Sequence, residues 1–469
     1  MALREERRKT RTLEKRLEAW RQRSIPVQPA KTGPADSAMI VPLLDAHRRR
    51  ILCIMLALVA VLSFRSVPRA LVQFQPFAAL PMQPPHFTSV INWTLRVGLA
   101  RLKAIAPLAE PWIALIDVSI DVGIQKAFVI LRVPFSTLEK TGAALNLASC
   151  ECIGCVVRDS WNGESISVAL AETFKKSGPP KAILRDGGSD LRKGIVLWKK
   201  RNKLGRVAVL SDVGHEAACA LKARFSRVGG FRRAMTAVSV AAKKLGQSDI
   251  SFLTPPKLRT KGRFLGITKL AHWARQALDL IGGSGRLPAG SVGARLRILL
   301  PKFGIHRPFL EKFCATCKVT EEFLTLFKTK GMNRETAAQG RLILKRLPYT
   351  CLVRCRMTRW IEKNLAAHCS LAVGQRPLQV STDALESLFG KFKTIIQRSP
   401  KADFNRTVLI IPALCGRIDD AAVDAALRQV SHKDLKEWQE TNVAQTQVQK
   451  RRSFLAKVPG PDPGKAHPA

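Results

Sequence analysis

Three carboxylates fall where a mixed sheet can gather them: Asp117 directly after the apolar run Trp112 to Ile116, Asp186 directly after the run KAILR, and Glu386 within VSTDALESLFGKFKTIIQ. Converging carboxylate oxygens suit hard divalent cations such as Mg²⁺ or Mn²⁺. Two such ions about 4 Å apart activate a water or a 3′-hydroxyl and steady the leaving oxygen of a phosphodiester. Clustered like charges raise one another's pKa, so a site of this kind ionises fully only as cations arrive. Asp121 competes with Asp117 on the same strand face, and Asp190 competes with Asp186 as a residue that caps or begins the next helix. Glu386, on an amphipathic stretch, also fits a merely solvated acid; Lys391 and Lys393 beyond it would meet phosphate while Glu386 faces a metal.

The elements that must position these groups can be read from periodicity. The segment WIALIDVSIDVGIQKAFVILRVP predicts two strands joined at Gly123 and LASCECIGCVVR a third. SISVALAETFKKSG predicts a helix, KAILRD a fourth strand, GGSDLRKGIVLWKK a helix, RVAVLSD a fifth strand and VGHEAACALKARF a further helix. Three antiparallel strands followed by two parallel additions make an α/β, ribonuclease-H-like mixed sheet. Its first part should span residues 109–228. Residues 229–380 lack alternation but hold helical stretches such as AHWARQALDLI and RMTRWIEKNLAAHC, which predicts an all-α insertion. Residues 381–450 should complete the catalytic domain, and the Pro- and Gly-rich tail 451–469 should be disordered.

Charge bounds the partners. With 78 Lys and Arg against 35 Asp and Glu, the formal net charge is +43, while 46% hydrophobic residues supply ample apolar area for folded cores. A basic surface of this size attracts polyanions, and double-stranded DNA is the expected partner. The apolar run Ile51 to Phe64 is shorter than the roughly 20 residues a spanning helix needs, and Arg48, Arg49, Arg50 and Arg65 flank it. It predicts a buried helix and no membrane partner. No apolar stretch follows the N-terminal MALREERRKTRTLEKR, so a cytoplasmic, nucleoid-associated protein is expected. Its 11 cysteines should be reduced thiols.

Residues 1–40 read as a short basic amphipathic helix and a linker. Residues 41–108 read as a helical, helix-turn-helix-type DNA-binding region. In its last helix Val90, Ile91, Trp93 and Leu95 should point inward, leaving Asn92, Thr94, Arg96 and Arg101 outside to meet the major groove, with Arg65 and Arg69 near phosphates. Lys126 adds a cation at the strand hairpin. Cys314-x-x-Cys317 with Cys351-x-x-x-Cys355 offers a possible zinc site, with His368 and Cys369 nearby, although Cys351 and Cys355 equally fit one helix face. Cys150, Cys152 and Cys155 fit small buried side chains. The glycine-rich stretch at 282–293 lacks a Gly-Lys-Ser/Thr ending and reads as a connector, so no nucleotide cofactor is expected.

From about Phe87 to Gly416 the chain resembles bacterial insertion-sequence transposases of the DDE class. The resemblance rests on WIALIDVSIDVGIQK around Asp117, RDGGSDLRKG around Asp186, SDVGHE from Ser211 to Glu216, and STDALESLFGKFK around Glu386. It implies that Asp117, Asp186 and Glu386 are a metal-binding triad. It further implies that water and then a 3′-hydroxyl attack phosphodiesters at transposon ends and in target DNA, and that the chain works as a homo-oligomer on DNA. Asp212 and His215 match the Asp-x-x-His signature of such enzymes, which implies a part in catalysis. From the residues alone, Asp212 equally fits a helix cap and His215 a packed imidazole. A nuclease that cleaves without joining, and a non-catalytic DNA-binding copy acting as a repressor, are the alternatives.

Overall fold

Near-continuous apolar runs in Trp112–Val122 and Gln125–Pro134, buried on both faces, form an antiparallel hairpin. Around it the computed structural model describes residues 46–78, 83–122, 125–141, 145–258, 263–282, 285, 287–396, 405–443 and 447–456. The expected helix and linker of residues 1–40, and positions 457–469 of the expected tail, lie outside the described residues.

Three helices come first: α1 (Ala46–Leu58), α2 (Ser66–Ala78) and α3 (Phe87–Lys103). Strands β1 (Trp112–Val122) and β2 (Gln125–Pro134) follow, then a short helix α4 (Phe135–Thr141), β3 (Glu151–Arg158), α5 (Gly163–Ser177), β4 (Ala182–Arg185), α6 (Ser189–Arg201), β5 (Ala208–Ser211) and α7 (Val213–Phe225). The strand order is β3-β2-β1-β4-β5, with β1, β2 and β3 antiparallel and β4 and β5 added in parallel. This five-stranded mixed sheet is compatible with a ribonuclease-H-like fold. Helices α5 and α6 cover one face, where Trp112, Ala114, Ile116, Phe128, Ile130 and Ile183 pack against Ile166, Leu170, Phe174 and Trp198. An Asn162 capping box begins α5, satisfying donors that the first turn leaves unpaired.

Residues 229–380 are helical as expected: α8 (Gly229–Gly246), α9 (Ile267–Ile281), α10 (Val292–Leu299), α11 (Arg307–Lys330), α12 (Arg334–Lys345) and α13 (Leu352–Ser370), with one isolated bridge between Met332 and Leu378. Their apolar faces form one core with α7, in which Phe225, Phe231, Phe309 and Phe313 make edge and stacked ring contacts. The chain returns through α14 (Asp383–Ile396), which packs on β1, and through α15 (Ile410–Ala413), α16 (Asp420–Gln429), α17 (His432–Asn442) and α18 (Gln447–Leu455).

Several expectations are corrected. The apolar run after Arg50 does not form one helix: α1 ends at Leu58, and Val61 takes a positive φ of 55° in the turn that follows. Helix α4 lies between the second and third strands, where no element was expected. Residues 451–455 belong to α18 instead of a disordered tail.

Helix α3, expected to present a polar face to DNA, is a core helix packed on α1, β3, α15 and α16. The approach is so close that a Cβ at Gly98 would lie 1.9 Å from the Leu409 carbonyl oxygen. Thr94 is fully buried and donates to the Val90 carbonyl at 2.8 Å. A small β-hydroxyl can bond its own helix backbone in this way, so its polarity does not require exposure. Among the described residues no helix is long and apolar enough to cross a membrane.

Candidate functional site

Strands β1 and β4 pair in parallel from Ile113 with Ala182 to Ile116 with Arg185. Continued by one residue, that register sets Asp117 beside Asp186. Alternation puts Asp117 on the face opposite Ile116, away from α5 and α6, and α14, which carries Glu386, packs on the same strand. The strand does not end at Asp117: β1 runs on to Val122 beside β2, with a register shift between Val118 and Ile120. Asp117 therefore stands where the five-stranded sheet gives way to its three antiparallel strands, β3-β2-β1. It is 8% exposed, and its Oδ1 accepts from the Val118 amide at 2.7 Å.

Asp186 is half-buried, and its Oδ1 accepts from the Gly188 amide at 2.8 Å. That bond curls the loop into α6 and aims the carboxylate along the strand end. Asp190, its competitor, is exposed in the first turn of α6. The side chain of Asp121 lies outside the described residues. Glu386 is exposed in the first turn of α14, where a carboxylate is favoured by the unpaired amides of the helix start. Lys393, seven residues on, shares its face and is exposed, whereas Lys391 is half-buried.

Asp212 and His215 have structural tasks that connect the two halves of the site. Asp212 is the N-cap of α7, its Oδ1 accepting from the His215 amide. Its Oδ2 accepts from the Thr382 amide at 2.8 Å and the Thr382 hydroxyl at 3.1 Å. Val213 adds an amide bond to the Val380 carbonyl at 2.9 Å, and Lys328 at the end of α11 pairs with Asp383 at 2.7 Å. The start of α14, and with it Glu386, is thus tied to the end of β5. Burial raises the Asp212 carboxyl above its ordinary value, against the pull of the two amides.

The His215 ring lies against Gly187: a Cβ there would sit 2.1 Å from its Cδ2 and Nε2. A hydrogen bond to Cys219 raises the imidazole to about 9, burial opposes this, and Cys219, Asp186 and Asp212 add electrostatic support. An imidazolium therefore stands behind the Asp186 loop.

Arg96 and Arg101 face carbonyls instead of solvent. Arg96 donates to Val430 and Leu427 at the end of α16, and Arg101 to Pro412, Ala413 and Arg417. Asn92 is half-buried with its Oδ1 lacking a hydrogen-bond partner. Arg65 and Arg69 are exposed at α2, Arg65 lying over the Phe87 ring at 5.2 Å. Lys126 is exposed on β2, paired in register with Asp121 and Arg158.

Asp117 and Asp186 offer the oxygen donors that hard divalent cations take. Among the described residues, however, no three His, Cys, Asp or Glu side chains stand close enough to hold a metal ion between them. In place of the expected gathering of three carboxylates, Asp117 lies within β1, Asp186 directly follows the neighbouring strand β4, and Glu386 sits on a helix packed on β1. The same observation covers the cysteines of the insertion, where the Cys314 thiol donates to Ala271 and the Cys355 thiol to Tyr349. Cys150, Cys152 and Cys155 meet Cys415 from the C-terminal segment; burial pushes Cys150 up to about 12.

Sequence reasoning missed Thr382, Lys328, Trp360 and Asn364. Trp360 Nε1 donates to the Ser211 carbonyl at 3.0 Å, and Asn364 Oδ1 accepts from the Ser211 amide at 2.9 Å, so side chains of α13 satisfy the end of β5. A buried Asn on an otherwise apolar helix face was the available signal.

No family model matches the chain, and no curated protein matches it. Among solved structures, the chain is similar to one in the Drosophila P element transposase strand transfer complex, at 11% identity and a TM-score of 0.39, covering 86% of this chain and 97% of that one.

Proposed function

We propose that the protein is a metal-dependent polynucleotidyl transferase acting on double-stranded DNA, a DDE-type transposase with a ribonuclease-H-like catalytic domain. The observation that supports this reading is the β1–β4 register, which runs up to the residues before Asp117 and Asp186, with α14 and its Glu386 packed on β1. A net charge of +43 supports a phosphate-rich partner.

Asp117 and Asp186, with Glu386 drawn in from α14, would hold Mg²⁺ or Mn²⁺, and such an ion would supply activation of the attacking hydroxyl and stabilisation of the leaving oxygen. The chain's own residues do the positioning. Gly188 fixes the Asp186 carboxylate through its amide, Asp212 fixes the start of the Glu386 helix through Thr382, and the His215 imidazolium steadies the Asp186 loop. Lys393 lies on the Glu386 face to receive a phosphate. Asp212 and His215 are thus positioning residues. The protein acts as a homo-oligomer on two DNA ends, in the cytoplasm with the nucleoid.

The test pairs the purified protein with DNA carrying the flanks of its own gene, in Mg²⁺ or Mn²⁺, beside Asp117→Asn, Asp186→Asn and Glu386→Gln. Nicking at the ends and joined products should be lost in each variant while DNA affinity is kept. Cleavage without joining would assign a nuclease. Binding without cleavage by the unaltered protein would leave a DNA-binding protein and overturn the catalytic reading.

A further inference from the structure

The C-terminal end of β5 opens into a cavity of about 380 Å³ lined by Ser211, Glu216, Arg356, Arg359, Trp360 and Lys363. Arg356, Arg359 and Lys363 follow one another at spacings of three and four along α13, so one helix face presents all three. The floor is rigid, because Trp360 and Asn364 hold both backbone groups of Ser211.

Two further cations, one on the neighbouring strand and one on the helix after it, act on Lys363 through their charge. Arg185 ends β4, immediately before Asp186, and Arg192 lies in α6. Burial lowers the Lys363 ammonium below its ordinary value, and the charges of Arg185 and Arg192 lower it further while Glu216 opposes them. Arg185 is only 6% exposed, and its Nε has no hydrogen-bond partner. Of these five cations, three line the cavity beside the carboxylate of Glu216, while Arg185 donates to the Asp186 carbonyl and also feels the Asp186 carboxylate. Among the described residues, no ion pair joins any of the five to an acid, although Arg and Lys pair with acids at many other places on this chain. Such a cluster is destabilised by its own repulsion until an anion enters.

We infer that this cavity is a phosphate subsite that seats a backbone phosphate of the nucleic-acid strand leading to the carboxylates. This rests on the proposed function, because that function supplies the strand. Arginine forks and an ammonium match the oxygens of a phosphodiester, and the residue after Arg185 is the site carboxylate Asp186. A strand held here is fixed in register relative to that carboxylate. The contact is made to phosphate and is independent of base sequence.

The test uses the full chain with a fluorescein-labelled DNA duplex, measuring affinity by anisotropy across a salt series. It compares the unaltered protein with Arg359→Gln/Lys363→Gln and with a control of equal charge loss, Lys175→Gln/Lys176→Gln, at the exposed end of α5. Loss of one phosphate contact should make the slope of log affinity against log salt shallower by about 1 and weaken binding about eightfold at 0.1 M salt. The control should keep the original slope, and all three proteins should share one thermal midpoint.

Equal slopes in the unaltered protein and the cavity variant would overturn the inference, as would an equal change in the control or no DNA binding at all. Calorimetric titration with inorganic phosphate and with a nucleoside triphosphate distinguishes a free ligand: nucleotide binding lost in the variant with DNA binding unchanged would assign the cavity to a nucleotide and overturn the strand. Failure of the catalytic reading looks different. The slope change would persist while the unaltered protein, given Mg²⁺, cleaves nothing.

Discussion

Asp212 accepts hydrogen bonds from both the amide and the hydroxyl of Thr382, a residue 170 positions further along the chain. Through this contact the end of the last strand holds the first turn of the helix that carries Glu386. The bond is buried, and the carboxylate oxygen that makes it is distinct from the one that caps α7.

Replacing Asp212 by Ala should remove a cap and two interchain-segment bonds together, costing about 2–4 kcal/mol in urea unfolding. Thr382→Val deletes only the hydroxyl and should cost about 1 kcal/mol. If the proposed site is correct, both should lower cleavage with little change in DNA affinity. Cleavage by Asp212→Ala at the original rate would show that the tie does not position Glu386.

Gly187→Ala would drive a methyl group into the His215 ring, and overpacking of this kind costs about 1–3 kcal/mol. Because the clash is with one ring, His215→Ala should relieve it. A double-mutant cycle by chemical denaturation is expected to give a coupling above about 1 kcal/mol. Additive effects would place the ring elsewhere.

His215 should titrate near 9 in the folded protein, and Cys219→Ala should bring it back toward its ordinary 6.5. Since the folded value lies above the unfolded one, the associated stabilisation is complete below about 6.5 and is lost as pH rises through about 9. Urea midpoints of the two proteins should therefore differ most in mild acid and converge above pH 9. Imidazole proton shifts across that range measure the titration directly.

Arg96→Ala and Arg101→Ala should destabilise the fold by about 2–4 kcal/mol each, since each removes charge-assisted bonds to helix-end carbonyls. DNA affinity of the folded fraction should be unchanged. Arg65→Ala and Arg69→Ala, at exposed positions, should leave thermal stability close to the original. A fall in DNA affinity on Arg96→Ala without loss of stability would restore the groove-facing role expected of that helix.

Much of the sheet was legible because its determinants are local. The apolar runs of WIALID, KAILRD and RVAVLSD marked three strands with an aspartate after each run, and strands joined through helices add in parallel with a common hand, which brings the ends of those runs to one edge. The proximity of Asp117 and Asp186 follows from those facts. The bulge between Val118 and Ile120 did not, since a register shift is set by the pairing of β1 with β2.

What the tertiary structure alone decided concerns which surfaces meet. Amphipathicity marks the apolar face of α3 but is silent on polar residues that find partners inside. Thr94 satisfies its own helix, and Arg96 and Arg101 reach carbonyls more than 300 residues away. The same holds for the Asp212–Thr382 tie and for the cationic cavity, where α13 of the insertion meets strand ends some 150 residues earlier. A long side chain carries the same charge and period in the sequence whether it meets a carbonyl, a phosphate or water. Only the packing of distant segments chooses among them.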